Sequence, residues 1–200
     1  MRKFDFRLVF VLMMAATILS CSGSDSDTID PCASVSCLND GVCVDGTCDC
    51  PENYTGTNCA TPKTPTKIKI TKIRVTHFNN EDGANAWDNA SGADVFVQIV
   101  NASGNSVYVS DTYYPDVFST GSNFFDFTPA APIEIIQVSA QHTIYLGDLD
   151  VNDTPPNPND QMGMITFPLF QSINGFPATL MLSDNAATPF RVQLSLTYEW

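Results

Sequence analysis

Two acidic segments carry the side chains with the clearest potential for chemistry. In the first, Asp88 and Asp94 stand six residues apart, and Asp94 leads directly into an apolar stretch. In the second, Asp148-Leu-Asp150 is followed, after a Pro- and Asn-rich stretch, by Asp160-Gln-Met-Gly163. Ca²⁺ is a hard ion that takes about six to eight oxygen ligands, and carboxylates supply them. Because gathered carboxylates repel one another unless a cation lies between them, the pattern favours a calcium site over solvated acidic loops.

Other catalytic or metal-binding signatures are absent from the sequence. His77 and His142 each stand alone, which is more typical of structural histidines than of metal ligands. No zinc-type spacing, phosphate-binding loop or nucleophile elbow is present, so we expect a protein that is not an enzyme.

The cysteines divide into one outlier and a dense group. Of the 7 cysteines, Cys21 stands apart and six lie between Cys32 and Cys59, with four, five, four, one and eight residues between successive members. A segment of fewer than about 40 residues cannot bury enough apolar surface to fold without help, and each disulfide contributes about 2–4 kcal/mol. We therefore predict three disulfides, and spacing alone leaves all fifteen pairings of six cysteines open.

This spacing resembles that of an epidermal-growth-factor-like (EGF-like) domain. In the final loop, Tyr54 and Gly56 match the family's aromatic residue and second glycine, while Asn53 replaces the first glycine and still tolerates positive φ. Some family members bind calcium through a short acidic pattern ahead of the first cysteine. In this sequence only Asp30 matches that pattern, and Pro31 stands where the pattern has glutamate. The resemblance implies a spacer or docking module without calcium, with the disulfides Cys32–Cys43, Cys37–Cys48 and Cys50–Cys59.

The first twenty residues have the organisation of an export signal. The basic segment Met1–Arg7 precedes Leu8–Leu19, an apolar run with Thr17 as its one polar residue. This run is too short for a transmembrane helix and has the length of a signal-peptide core. Ile18–Cys21 resembles a lipobox, which implies a lipid-modified Cys21 and anchoring at the outer membrane or cell surface. Secretion with cleavage nearby is the alternative. The acidic tether Ser22–Asp30 resembles the export signal of Bacteroidetes-type surface lipoproteins.

The charge balance excludes one class of partner. The chain has 9 Lys and Arg against 22 Asp and Glu, a formal net charge of -13. Without the charged residues of the export signal, 6 basic and 21 acidic residues remain. Because such a surface repels phosphate backbones and attracts cations, we expect no nucleic-acid partner.

The remainder of the chain has the periodicity of β-structure. Short apolar strands are predicted at Val95–Val100, Ser106–Ser110 and Phe124–Thr128, and apolar residues alternate with polar ones from Arg191 to the end. Many short strands separated by Gly, Asn and Asp indicate an antiparallel sandwich or barrel. We expect the aromatic residues of one segment to lie in its core: Phe118, Phe124, Phe125 and Phe127.

The β-structure begins at Lys67, and its first strand contains a change of parity. Ile68 and Ile70 occupy even positions, whereas Ile73 and Val75 occupy odd ones. Because side chains alternate between the two faces of a strand, a bulge near Thr71 is needed to keep all four in the core.

The acidic loops and their flanking strands resemble those of a C2 domain, a calcium-dependent β-sandwich. The departures are Val95 in place of the usual proline, and a longer second loop that holds Pro155, Pro156 and Pro158. Asp116 lies outside both loops, and Asp116→Asn is expected to change nothing. Carried over position by position, the resemblance implies the calcium ligands Asp88, Asp94, Asp148, Asp150 and Asp160, with Asn152 and Asp153 as further candidates.

The predicted organisation is mainly β, with an EGF-like module ahead of an antiparallel C2-like sandwich. The boundaries are a signal peptide at 1–20, a tether at 21–30, the EGF-like module at 31–60, a Thr/Pro linker at 61–66 that separates the two cores, and the sandwich at 67–200. The predicted function is a non-enzymatic surface lipoprotein that binds calcium and acts in adhesion or in binding a surface protein or glycan. The alternatives are a calcium-dependent membrane-docking module and an accessory subunit of a surface polysaccharide-processing complex.

Overall fold

The computed structural model describes residues 30–82, 85–87, 91–150, 161–187 and 189–200. These residues are mainly β-strand, with one 3₁₀ turn at Ser172–Asn174, so the predicted fold class is confirmed. Among them, no helix is long and apolar enough to cross a membrane.

The N-terminal module is held together by its disulfides. The pairs are Cys32–Cys43, Cys37–Cys48 and Cys50–Cys59, with Cα–Cα distances of 5.9, 5.6 and 5.3 Å, which confirms the predicted pairing. Its apolar side chains contribute little to a hydrophobic core, because Leu38, Val42 and Val44 are all exposed. Four short strands form two antiparallel pairs: β1 (Val42–Val44) with β2 (Thr47–Asp49), and β3 (Tyr54–Thr55) with β4 (Thr61–Pro62).

The larger part of the chain folds into two antiparallel sheets. Its strands are β5 (Lys67–His77), β6 (Glu81–Asp82), β7 (Asn85–Ala86), β8 (Ala93–Val100), β9 (Ser106–Val109), β10 (Tyr114–Val117), β11 (Phe125–Phe127), β12 (Ile133–Ile135), β13 (Gln141–Asp148), β14 (Gln161–Pro168), β15 (Thr179–Ser183) and β16 (Arg191–Glu199). One sheet has the order β11-β5-β16-β15, with β12 also paired to β5. The other has the order β10-β8-β13-β14, with β9 also paired to β8, and β6 pairs with β7 apart from both.

The predicted bulge lies in the centre of the first sheet. Ile70 is the Cα partner of Leu196, and Lys72 is the partner of Ser195, so Thr71 is skipped in the ladder. The hydroxyl of Thr71 donates to the carbonyl of Ser195 over 3.3 Å. As a result, all four apolar residues that flank the bulge on β5 are fully buried: Ile68, Ile70, Ile73 and Val75.

The core between the sheets follows the alternation of the sequence, with one correction. Val192, Leu194 and Leu196 of β16 are buried, as predicted. Phe125 and Phe127 are also buried, whereas Phe118 and Phe124 are 48% and 52% exposed, so the prediction that all four phenylalanines lie in the core was wrong for two. Positions 125 and 127 share the inner face of β11, while the ring of Phe124 lies outside it, 3.7 Å from the guanidinium carbon of Arg74.

The outer face of β5 carries most of the basic residues that follow the export signal. Lys67, Lys69, Lys72 and Arg74 lie on this face, where they form ion pairs with acidic residues of three neighbouring strands. Arg74 contacts Asp126 through two hydrogen bonds of 2.6 and 2.7 Å, and this contact lowers the pKa of the Asp126 carboxyl. The acidic partners are Asp126, Glu134 and Glu199.

The two ends of the sandwich have different neighbours. The N-terminal module contacts the end at which β5 begins, where the rings of Tyr54 and Phe176 are 5.5 Å apart. We call this the module end. The opposite end, which we call the loop end, is where β5 finishes, β8 begins at Ala93 and β13 finishes at Asp148. The 11 residues of β5 separate the two ends by roughly 33–36 Å, at about 3.3 Å per residue.

Candidate metal site at the loop end

Two glycines allow the strands of the loop end to approach closely. A Cβ atom on Gly92 would lie 2.5 Å from the carbonyl oxygen of Val117, so only glycine lets β10 reach the start of β8 here. A Cβ atom on Gly147 would lie 2.5 Å from the ring of Phe96, which is buried over the end of β13. The first contact brings β10 against the start of β8, next to Asp94, and the second brings β8 against the end of β13, next to Asp148.

Asp94 and Asp148 are directly connected. The backbone N–H of Asp94 donates to Oδ1 of Asp148 over 2.6 Å, and the N–H of Leu149 donates to the carbonyl of Asp94 over 2.9 Å. Asp148 is only 2% exposed and has the parity of Ile144 and Leu146, so it continues the buried face of β13. A buried carboxylate is stable only when its oxygens are satisfied by donors or cations, and the hydrogen bond from Asp94 fixes the position of one oxygen.

The backbone of a third aspartate contacts Asp94. The backbone N–H of Asp116 donates to Oδ1 of Asp94 over 2.8 Å. Asp116 sits in a bulge of β10 with φ of 51°, a left-handed conformation that Asp adopts more readily than most residues. This contact orients the carboxylate of Asp94 through the backbone of Asp116, which Asp116→Asn retains, so the expectation that this substitution changes nothing stays a prediction.

The five predicted ligands are only partly placed. Asp94 and Asp148 come together, and Asp150 follows Asp148 by two residues with an exposed side chain. Asp88 and Asp160, and the further candidates Asn152 and Asp153, lie outside the described residues. Within the described ranges, no group of three or more His, Cys, Asp or Glu side chains could hold a metal ion. Convergence of all five carboxylates therefore stays a prediction.

The donors that are placed suit calcium. Asp94 and Asp148 carry carboxylate oxygens on two strands of one sheet, and Asp150 carries a third carboxylate on the loop that follows β13. Such oxygens match the preference of Ca²⁺ for hard ligands, whereas a transition-metal site is typically built from His and Cys. The cysteines of the described residues are all in disulfides far from the loop end.

The two histidines have structural contacts. Nδ1 of His77 is 2.7 Å from the carbonyl of Pro189, and Nδ1 of the buried His142 is 3.0 Å from the carbonyl of Ala140. His142 also lines a cavity of about 290 Å³ between the sheets, together with Val107, Ile135 and others. Val107 lies on β9 and Ile135 on β12, which belong to different sheets. The sequence does not predict the cavity, because the alternation within a strand does not show which strand of the other sheet lies opposite.

The N-terminal module matches a known family. Residues 33–62 match the family described as Teneurin-like EGF domain. The chain is also 24% identical over 189 residues to prostaglandin G/H synthase 2 of Equus caballus, an alignment that covers 90% of this chain and 25% of that protein. The chain thus spans about a quarter of the length of this relative.

Several solved structures are similar to the sandwich. A structure of a C2 domain has a TM-score of 0.44 at 10% identity, and the match covers 67% of this chain and 98% of that one. A C2 domain of plant extended synaptotagmin 1 has a TM-score of 0.35 at 16% identity over 69% of this chain and 99% of that one. Human GIVD cytosolic phospholipase A2 has a TM-score of 0.41 at 16% identity, with 68% and 18% covered. By its family match at residues 33–62 and its own two sheets, the chain joins an EGF-like domain, similar to those of the teneurin type, to an antiparallel β-sandwich.

Proposed function

We propose that this protein is a non-enzymatic binding module of the cell surface, whose loop end holds calcium and presents it to a ligand. The observation that carries this proposal is the direct connection between Asp94 and Asp148. Two aspartates that lie 54 residues apart in the sequence are brought together at the end of one sheet. The Asp148 carboxylate meets Asp94 through the backbone N–H of Asp94. In our proposal, a bound cation balances the negative charge that both side chains bring to this end of the sheet.

The residues that would hold calcium come from both acidic segments. Asp94 and Asp148 supply oxygens from β8 and β13, Asp150 supplies an exposed carboxylate, and the sequence adds Asp88 and Asp160. Bound calcium supplies positive charge and open coordination positions, which oxygen atoms of a ligand can fill. Hydroxyl and carboxylate oxygens of a glycan or protein are ligands of this kind.

The orientation of the chain supports a ligand that lies away from the point of attachment. The described residues enter the sandwich at the module end, roughly 33–36 Å from the loop end along β5. In our proposal, the lipid is carried by Cys21, ahead of the EGF-like module. A protein held in this way directs its loop end outward, towards a surface protein or glycan.

Calorimetric titration of the oxidised mature chain with CaCl₂ tests the proposal. We expect saturable binding in the range of about 10⁻⁴–10⁻³ M, which is common among extracellular calcium modules, and weaker binding of Mg²⁺ because it keeps its water shell. Replacement of both Asp94 and Asp150 with Asn should abolish the signal, since Asn retains an oxygen acceptor but removes the charge. Glu52→Gln, an exposed site in the EGF-like module, is the matched control. No binding up to about 10 mM calcium, ten or more times the expected Kd, or unchanged binding by the double variant, would overturn the proposal.

A second candidate function is calcium-dependent docking to a lipid surface. It is favoured by Phe118 and Phe124, two exposed rings in the loop between β10 and β11 at the loop end. Sedimentation with anionic vesicles separates the two candidates. Calcium-dependent binding that is lost in Phe118→Ser with Phe124→Ser supports docking, while glycan-array binding without vesicle binding supports the leading proposal.

Attachment through Cys21 is tested separately. We expect metabolic incorporation of palmitate into the native protein, and release of Cys21→Ser from the membrane fraction. Cys21→Ser that stays membrane-bound, together with a native protein free of palmitate, would exclude a lipid anchor without affecting the calcium proposal.

A further inference from the structure

The module end of the sandwich carries a cluster of five aromatic rings. Phe176 lies at its centre, with ring centroids 5.1 Å from Trp200, 5.6 Å from Tyr198 and 5.8 Å from Phe170. Four of the rings belong to the sandwich. The fifth is Tyr54 of the EGF-like module, which meets Phe176 edge to face at 5.5 Å. Edge-to-face contacts at this distance are attractive beyond the apolar area that they bury.

The segment predicted as a linker is tied to both sides of this contact. Thr61–Pro62 form β4, which pairs with Tyr54–Thr55, and the N–H of Lys63 donates to the carbonyl of Asn53 over 2.9 Å. Three residues later, the N–H and hydroxyl of Thr66 both donate to the carbonyl of Glu199. Pro65, between them, is buried. The segment is therefore continuous with both modules, and it leaves little freedom for them to move apart.

The end of the last strand completes the junction. Tyr198 donates its hydroxyl to the carbonyl of Pro177 over 2.7 Å, and its ring stacks on Trp200. Nε1 of Trp200 is buried and has no hydrogen-bond partner within the described part of the chain. The indole of Trp200 is therefore held in place by its contacts with the rings of Phe176 and Tyr198 rather than by hydrogen bonds.

From these contacts, we infer that the aromatic face at the module end is a docking surface for the EGF-like module of the same chain, and that the two modules unfold as one unit. The EGF-like module has almost no apolar core and is held in shape by its disulfides, so Tyr54 is positioned by the Cys50–Cys59 loop that contains it. The state of this disulfide then controls the stability of a sandwich that contains no cysteine. The inference is independent of calcium and of the proposed function.

A double-mutant cycle on the oxidised mature chain tests the contact. Tyr54→Ala and Phe176→Ala should each lower the thermal midpoint by several degrees, and the double variant should lower it by roughly 2–4 °C less than the sum, because both remove the same contact. Val42→Ala, an exposed apolar site on β1 of the module, should leave the midpoint within about 1 °C. Strict additivity of the two substitutions would overturn the inference.

Reduction provides a second test that needs no variant at the junction. In a Trp87→Phe background, Trp200 is the remaining tryptophan and reports on the module end. Dithiothreitol should shift its emission towards the red and lower the midpoint of sandwich unfolding. If emission and midpoint are the same in the oxidised and reduced protein, the sandwich is independent of the module and the inference fails.

Discussion

The backbone N–H of Asp94 donates to Oδ1 of Asp148 over 2.6 Å, so the last aspartate of one acidic segment is held by the first of the other. This bond joins the start of β8 to the end of β13 on adjacent strands of one sheet. Calcium affinity and local stability at the loop end are therefore expected to depend on the same side chain.

Loss of the Asp148 carboxylate should destabilise the folded protein. Asp148→Ala leaves the N–H of Asp94 without this acceptor in a site that is almost closed to water, which costs about 1–3 kcal/mol. The exposed Asp150→Ala should change the free energy of unfolding by less than about 0.5 kcal/mol. Urea unfolding of both variants in chelator measures the difference. Equal effects would show that the hydrogen bond contributes nothing.

Calcium should stabilise the fold by binding only to the native state. With a Kd of about 10⁻⁴–10⁻³ M, millimolar calcium adds roughly 0.4–1.4 kcal/mol. Thermal melting should rise by a few degrees with calcium and fall with chelator, while Mg²⁺ should have less effect. The response should vanish in Asp94→Asn with Asp150→Asn and persist in Glu52→Gln. Asp116→Asn should also leave the response intact, because Asp116 contacts Asp94 through its backbone N–H.

The bulge at Thr71 should be dispensable for the fold. Deletion of Thr71 places Ile68, Ile70 and the two apolar residues that follow in one unbroken alternation, so β5 can pair with β16 without a skipped residue. We expect the deletion variant to fold, with a loss of less than about 1 kcal/mol from the missing hydrogen bond to Ser195. Deletion of Ile70 instead removes a fully buried side chain and should cost several times more. Circular dichroism and thermal melting distinguish the two.

Stability should fall in alkali through Tyr198. Burial raises the pKa of the Tyr198 phenol to about 12, whereas the phenol of an unfolded chain ionises near about 10. The folded state therefore keeps the neutral form, and its contribution is present below about pH 10 and is lost as the pH rises from about 10 to about 12. In Tyr198→Phe, the free energy of unfolding should decline less steeply across this window. An identical decline in both proteins would assign the alkaline sensitivity to other groups.

The sequence was sufficient for features that depend on local spacing. The spacing of the six cysteines resembles that of an EGF-like domain, and this resemblance predicted the disulfide pairing. The change of parity between Ile70 and Ile73 located the bulge. Features that depend on distant segments were missed, since alternation defines the faces of a strand but not which loop folds against it. Asp116 reaches Asp94 only because Gly92 admits β10, and Tyr54 reaches Phe176 from a distant part of the sequence.

A structure of the oxidised mature chain with calcium tests the central proposal most directly. We predict an anomalous-scattering peak at the loop end, within about 2.3–2.6 Å of carboxylate oxygens from both acidic segments, including Asp94 and Asp150. A loop end without an ion at about 10 mM calcium, well above the expected Kd, or an ion bound elsewhere with these carboxylates dispersed, would contradict it.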